Sequence, residues 1–168
     1  PIYREKNQYP HLLEETLTGN PEDRKVEEMH AEAWSMVEPR MNQPRMEALE
    51  GYHILKNDHK ASTSIQEILP AAFFGQVDIL MLSNEGKIWG RFDPESQDVT
   101  VHKRKELEDE DLADLAAKYT LANNGLVYTY DLAEMPDGAM IAATMRYPLQ
   151  GLNYADDEDK NARKNTLK

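Results

Sequence analysis

The chain has 168 residues, with 19 Lys and Arg against 31 Asp and Glu for a formal net charge of −12, and no Cys. Length makes one domain with a sizeable core the economical expectation, and the lack of Cys excludes disulfides, thiolate metal sites and thiol chemistry. The acidity repels a phosphate backbone at long range, which disfavours non-specific nucleic-acid binding by the whole surface.

Residues 1–20 carry Pro1, Pro10 and Gly19-Asn20 around Leu12, Leu13 and Leu17, and read as a connecting strap that docks by a few apolar contacts. Pro21 fits the first helical turn after an Asn20 cap, with Glu22 and Asp23 at the positive end of the dipole. Val26, Met29, Ala33, Trp34 and Val37 then recur at helical spacing and give one apolar face. Pro39 and Pro44 predict a kink or break before Met46, Leu49 and Tyr52 resume the period. Residues 56–63 are polar and read as a loop. Ser64-Ile65-Gln66-Glu67 matches a capping box and opens a short helix through Ile65, Ile68 and Leu69, kinked at Pro70 and released at Gly75.

The central run is residues 77–93. Val77, Ile79, Leu80, Met81 and Leu82 form a nearly continuous apolar stretch of strand length, as expected for a buried strand. Ser83-Asn84-Glu85-Gly86 predicts a tight reversal, and residues 87–92 alternate, so the two strands are expected to form an antiparallel hairpin. A turn over residues 93–97 and the alternation of residues 99–104 extend this to a three-stranded meander. Asp109-Glu110-Asp111 supplies negative charge for a helix start, and Leu112, Leu115, Ala116 and Tyr119 share one helix face. Asn123-Asn124-Gly125 stops that helix, since Asn and Gly accept the left-handed conformation. Residues 126–130 form a strand, Pro136-Asp137-Gly138 a turn, and residues 139–147 the last strand. Strands and helices in this order predict an α/β fold with a mixed sheet covered by helices. From Asp156 onward, four acids and four bases with almost no apolar residues predict a disordered tail over residues 151–168.

No motif names a reaction. Glu27 with His30 and Glu50 with His53 form two Glu-x-x-His units of the kind that di-iron bundles use, but the two further helices with bridging Glu residues are missing, so no metal is expected. Among His11, His30, His53, His59 and His102 none sits in a nucleophile setting, and His102 reads as a surface residue on a strand beside basic neighbours. Lys103, Arg104 and Lys105 are followed at once by acids and read as a solvated face. Trp89, Phe92, Tyr128 and Tyr130 would stack bases if exposed but read as buried sheet residues. There is no Gly-rich phosphate cradle, so no cofactor is expected. No apolar run approaches the ~20 residues that span a bilayer, and no signal-peptide pattern opens the chain; a cytoplasmic setting is the default.

The ordered set Phe74-Gly75-Gln76-Val77-Asp78-Ile79-Leu80, Trp89-Gly90-Arg91-Phe92-Asp93, Asp111-Leu112-Ala113-Asp114-Leu115-Ala116-Ala117, Asn123-Asn124-Gly125-Leu126-Val127-Tyr128 and Met135-Pro136 before Ala142-Ala143-Thr144-Met145-Arg146-Tyr147 resembles one family. Over roughly residues 22–148 the chain is similar to the C-terminal, third domain of the bacterial proteins related to archaeo-eukaryotic class-one release factors and Pelota. The resemblance implies a three-layer α-β-α sandwich with a mixed sheet, akin to ribosomal kink-turn-binding proteins. It divides the chain into a connecting segment over residues 1–20, a domain over 21–150 and a tail over 151–168. The start at Pro1 rather than Met then fits a fragment of a longer protein. In the release factors a Gly-Gly-Gln tripeptide of the middle domain serves hydrolysis. Only Gly75-Gln76 occurs here, preceded by Phe74, so no catalytic role is expected.

The implied function is a non-catalytic interaction domain of a ribosome-associated protein, whose partner is the ribosome or a translation-associated protein. Trp89, Arg91, Asp93, Asn123, Asn124, Gly125 and Arg146 are the family-motif positions expected to serve interaction. Two other classes remain open, an RNA-binding module of kink-turn type and a hydrolase.

Overall fold

The computed structural model describes residues 14–149. The expected strap contacts of Leu12 and Leu13, His11, and the tail beyond residue 149 lie outside them. The described residues fall into two compact units that divide between Glu47 and Ala48.

In the first unit, Asn20 does begin a turn: its side-chain oxygen accepts from the Glu22 N–H at 3.3 Å and its carbonyl from the Asp23 N–H at 3.2 Å. The turn is a single 3-10 turn over Pro21–Asp23, however, and helix α1 spans Val26–Lys56. Arg24 and Glu32 form an ion pair, and Arg40 reaches both carboxylate oxygens of Glu15 at 3.0 Å. The expected break at Pro39 and Pro44 does not occur; both prolines lie inside α1. The carbonyls that lose their helical partners belong to Ser35 and Arg40, both exposed residues, where water can replace the missing N–H. The apolar periodicity of α1 is real but its burial is not: Val26, Trp34, Met41 and Met46 are exposed, and only Ala48 and Tyr52 are buried.

The second unit is built on a mixed four-stranded sheet. Its strands are β1 (Ala61–Ser62), β2 (Val77–Ser83), β6 (Leu126–Tyr130) and β7 (Ile141–Met145), in the order β1-β7-β2-β6. β7 runs antiparallel to both neighbours, and β2 and β6 are parallel, from Ile79 opposite Leu126 to Ser83 opposite Tyr130. The stretch read as a loop thus contains the short edge strand β1. A smaller antiparallel sheet, order β4-β3-β5, contains β3 (Trp89–Phe92), β4 (Val99–His102) and β5 (Glu110–Asp111).

This corrects the expected hairpin. β2 does not pair with β3; it is an inner strand with β7 on one side and β6 on the other. An apolar strand buried on both faces needs ladder partners along both edges, and segments distant in sequence supply them. Residues 84–88 instead carry the chain out into the second sheet, where the β3–β4 antiparallel pair forms as expected, with Trp89 opposite His102 and Phe92 opposite Val99.

Helix α2 (Ile65–Phe73) starts at Ser64, but the capping box does not form. The Ser64 side chain caps nothing, and Glu67 takes the Ser62 hydroxyl at 2.5 Å while Ser62 Oγ accepts from the Ser64 N–H. Helix α3 (Leu112–Ala122) is capped as expected by Asp111, whose side chain accepts from the Ala113 N–H at 3.2 Å. Its buried face, Leu112, Ala116 and Thr120, recurs every four residues.

Two clusters make the core. Ile68, Leu69 and Ala72 of α2, Leu112 and Ala116 of α3, Val77 and Leu80 of β2 and Ala143 of β7 are all fully buried in the first. Burying each of the larger ones contributes about 1.5–3 kcal/mol before chain entropy is counted. Phe73, Phe92 and Tyr119 meet edge to face at 5.1–6.3 Å and tie the small sheet onto the two helices. The second cluster gathers Tyr52, Met81, Tyr130, Met135 and Ala142, with Leu49 against it. Alternation along the strands explains the division: Leu80 belongs to the first cluster and its neighbour Met81 to the second.

Candidate functional site

The seven family-motif positions fall into two places. Trp89, Arg91 and Asp93 lie on or beside β3. Gly90 between them is buried, and a Cβ there would stand 2.0 Å from the Thr100 carbonyl oxygen and 2.8 Å from Leu112 Cδ1, so only glycine lets β3, β4 and α3 approach so closely. Trp89 is half-buried, with Lys105 Nζ 4.6 Å and Lys87 Nζ 5.4 Å from its ring centroid, both within cation–π range. Lys87 also stands 3.5 Å from the Asp111 carboxylate.

Arg91 reaches across to the β4–β5 connection, where it donates to the Leu107 carbonyl and to Asp109 Oδ1 at 3.3 Å and stands 3.6 Å from the Glu108 carboxylate. The Asp109 side chain is fully buried and also faces His102 Nδ1 at 2.9–3.0 Å and the Glu106 N–H at 2.9 Å. Burial pushes its carboxyl up, but the Glu106 N–H, His102 and Arg91 outweigh burial and hold it below the ordinary carboxylate range. His102 is therefore no free surface residue; its side chain is 23% exposed and engaged with Asp109. Asp93 closes the β3–β4 turn: its carboxylate accepts from the Glu95 N–H and the Ser96 hydroxyl, both at 2.9 Å, and these bonds lower its pKa.

The second group stands where α2 and α3 end. Asn123 Nδ2 donates to the Ala72 and Tyr119 carbonyls, each at 3.0 Å, closing both helices with one amide. Arg146 donates to the carbonyls of Gly75 at 3.0 Å and Asn123 at 2.9 Å, placing a cation at the negative ends of the two helices. Asn124 takes a φ of 59°, the left-handed stop the sequence predicts. A Cβ at Gly125 would lie 2.6 Å from Thr120 Cγ2 and 3.0 Å from the Val77 carbonyl oxygen. Gly75-Gln76 belongs to the same junction: Gly75 has φ 71° and the Gln76 carbonyl accepts from the Arg146 N–H. Its place is structural.

Sequence reasoning missed a third cluster. Lys56 Nζ meets Asp137 Oδ2 at 2.6 Å, beside the buried Tyr52 one helical turn earlier. The bond to Lys56 holds the Asp137 carboxyl low, against burial and with further help from the Lys56 and His53 charges. Burial drives the Tyr52 phenol up, with Lys56 opposing and Asp137 adding to the rise. The only sequence signal was the tyrosine-lysine spacing of four on one helix. Of the aromatics, Tyr130 is buried as expected, whereas Trp89, Phe92 and Tyr128 are half-buried.

The two Glu-x-x-His units occupy the beginning and end of a single helix, α1. His30 stacks on Trp34 and His53 meets Tyr52 edge to face, and no group of three or more His, Asp or Glu arranged to hold a metal exists among the described residues. No helix among them is long and apolar enough to cross a membrane.

The fold is that of a release-factor C-terminal domain. The C-terminal domain of the peptide chain release factor from Methanosarcina mazei superposes with a TM-score of 0.56 at 12% identity, over 79% of this chain and 98% of that one. Dom34 of S. cerevisiae, described as a translation termination-like factor involved in RNA quality control pathways and interacting with Hbs1, gives a TM-score of 0.46 at 18% identity. That match covers 71% of this chain, which spans 31% of the Dom34 chain. Residues 1–76 match the model of bacterial archaeo-eukaryotic release factor family 3. No curated protein sequence matches it.

Proposed function

We propose that this chain is a non-catalytic interaction domain of a ribosome-associated bacterial protein that acts in termination, rescue or dormancy of translation. The observation that carries the reading is the family match over residues 1–76. The two core clusters on opposite faces of the large sheet support a three-layer α-β-α sandwich of the kink-turn-binding kind. Its partner is the ribosome or a translation-associated protein, as Dom34 has Hbs1. Of the seven motif positions, Trp89 and Asn124 offer contact surface, while Arg91, Asp93, Asn123, Gly125 and Arg146 hold the loops that present them.

Sedimentation of the tagged chain through sucrose gradients, from growing and from starved bacteria, tests this. The chain travels with ribosomal particles in at least one condition; confinement to the top of the gradient in both overturns the reading. The two ammonium groups over Trp89 favour RNA contact as a second reading. It requires tight, salt-sensitive retention of structured RNA on filters by the purified chain, lost in Trp89→Ala.

A further inference from the structure

We propose that the outer edge of β6 is a docking site for an extended, Lys- or Arg-flanked peptide segment of a partner protein, which adds to the large sheet as a fifth strand. β6 ends the strand order, and among the described residues no strand pairs with its outer side. The outward-facing backbone groups of such an edge, here the N–H and C=O of Val127 and Thr129, are complementary to another extended chain. Proteins usually blunt such edges with charge, proline, a bulge or shortness. The opposite edge, β1, is only two residues long. β6 has none of these guards: it is five residues, Leu-Val-Tyr-Thr-Tyr, with no charge and no proline, and pairs with β2 without a register shift.

Side chains and charge specify the occupant. Leu126 is 52% exposed and alternation puts it on the face of Tyr128, which packs against the second core cluster, so an added strand with an apolar residue there would extend that core. Both ends of the edge are acidic. Asp78, half-exposed and 3.7 Å from Arg146, precedes Ile79, the partner of Leu126, and Asp131, whose carboxylate accepts from Asn84 Nδ2, follows β6 directly. A second copy of a chain with net charge −12 meets repulsion at this edge, and a basic segment meets attraction. The inference uses the sheet alone and holds whether or not the chain associates with ribosomes.

The test titrates the purified chain with a fluorescent peptide Lys-Val-Thr-Val-Thr-Val-Lys, its counterpart with proline at the centre, and an acid-flanked version, reading anisotropy and amide hydrogen exchange. The basic strand peptide binds at least tenfold more tightly than the other two and slows exchange within residues 126–130. Thr129→Lys weakens binding at least tenfold with melting unchanged, whereas Thr129→Glu binds at least as tightly as the parent. Equal binding of the proline peptide, unaltered exchange at residues 126–130, or a dimer through β6 that excludes the peptide would overturn the proposal.

Discussion

Two residues show how much a single side chain decides in this molecule. At Gly125 the backbone comes so close to β2 that a methyl group would overlap Thr120 Cγ2 and press on the Val77 and Asp78 carbonyl oxygens. Two of those three contacts are backbone atoms of an inner strand, which cannot swing aside. Gly125→Ala is therefore expected to destabilise by about 1–3 kcal/mol, read as a lower urea midpoint with an unchanged slope. Asp109 acts by charge. Its folded-state pKa lies below the ordinary carboxylate value, so the unfolded chain binds more protons as pH falls. Its contribution is complete above the ordinary carboxylate range and is lost as pH falls through the lowered value. Asp93 and Asp137 add in the same direction. Asp109→Asn should lower the urea midpoint at neutral pH and flatten its decline on acidification, whereas an unaltered acid slope would mean that the carboxylate contributes nothing as a charge.

At the scale of elements, α1 sets propensity against context. Pro44 lies in its interior and deprives the Arg40 carbonyl of a partner, a defect worth about 3 kcal/mol against Ala in an exposed helix. Proline also restricts the unfolded chain, which returns about 0.4–1 kcal/mol. Pro44→Ala is expected to raise helix stability by about 2–3 kcal/mol and to give a new amide at position 44 protected from exchange; an unprotected amide would show that the helix is open there. The same helix marks a limit of sequence reading. Its 3.6-residue apolar period is plain, yet Val26, Met41 and Met46 are exposed, because a period says which residues share a face and not whether anything covers it. α3 was legible to its ends, since Asp111 and Asn124 act through bonds and dihedrals within their own few residues. The β2–β3 hairpin was not. Residues 77–92 signal two strands and a reversal, but the partners of β2 come from residues 126–145, and local pattern carries no information about them. The site residues follow the same rule: the Asn123 stop was readable, while the choice of Asp109, among neighbouring acids, as the carboxylate clamped by Arg91 and His102 depends on how the β4–β5 connection folds back.

For the second unit as a whole, the question is whether its two sheets melt together. Short strands in the small sheet would suit an independently fraying flap, as low local stability usually accompanies few buried contacts. The packing argues otherwise. Phe92 of β3 meets Phe73 of α2 and Tyr119 of α3, the Leu112 N–H bonds the Ile88 carbonyl at 2.8 Å, and the fully buried Leu112 lies under Gly90. Peeling the small sheet away would strip Ile88, Phe92 and Val99 from the first core cluster, against which they pack. In a Trp34→Phe background, Trp89 fluorescence reports the small sheet, and exchange of the β2 amides under conditions of global opening reports the large one. Phe92→Ala leaves a cavity among half-buried aromatic rings and should lower both readouts by the same 2–4 kcal/mol, roughly, because both then measure one cooperative transition. A drop in the Trp89 signal alone would make the small sheet a separate folding element, and the protection of β2 would then rest on the helices and the large sheet by themselves.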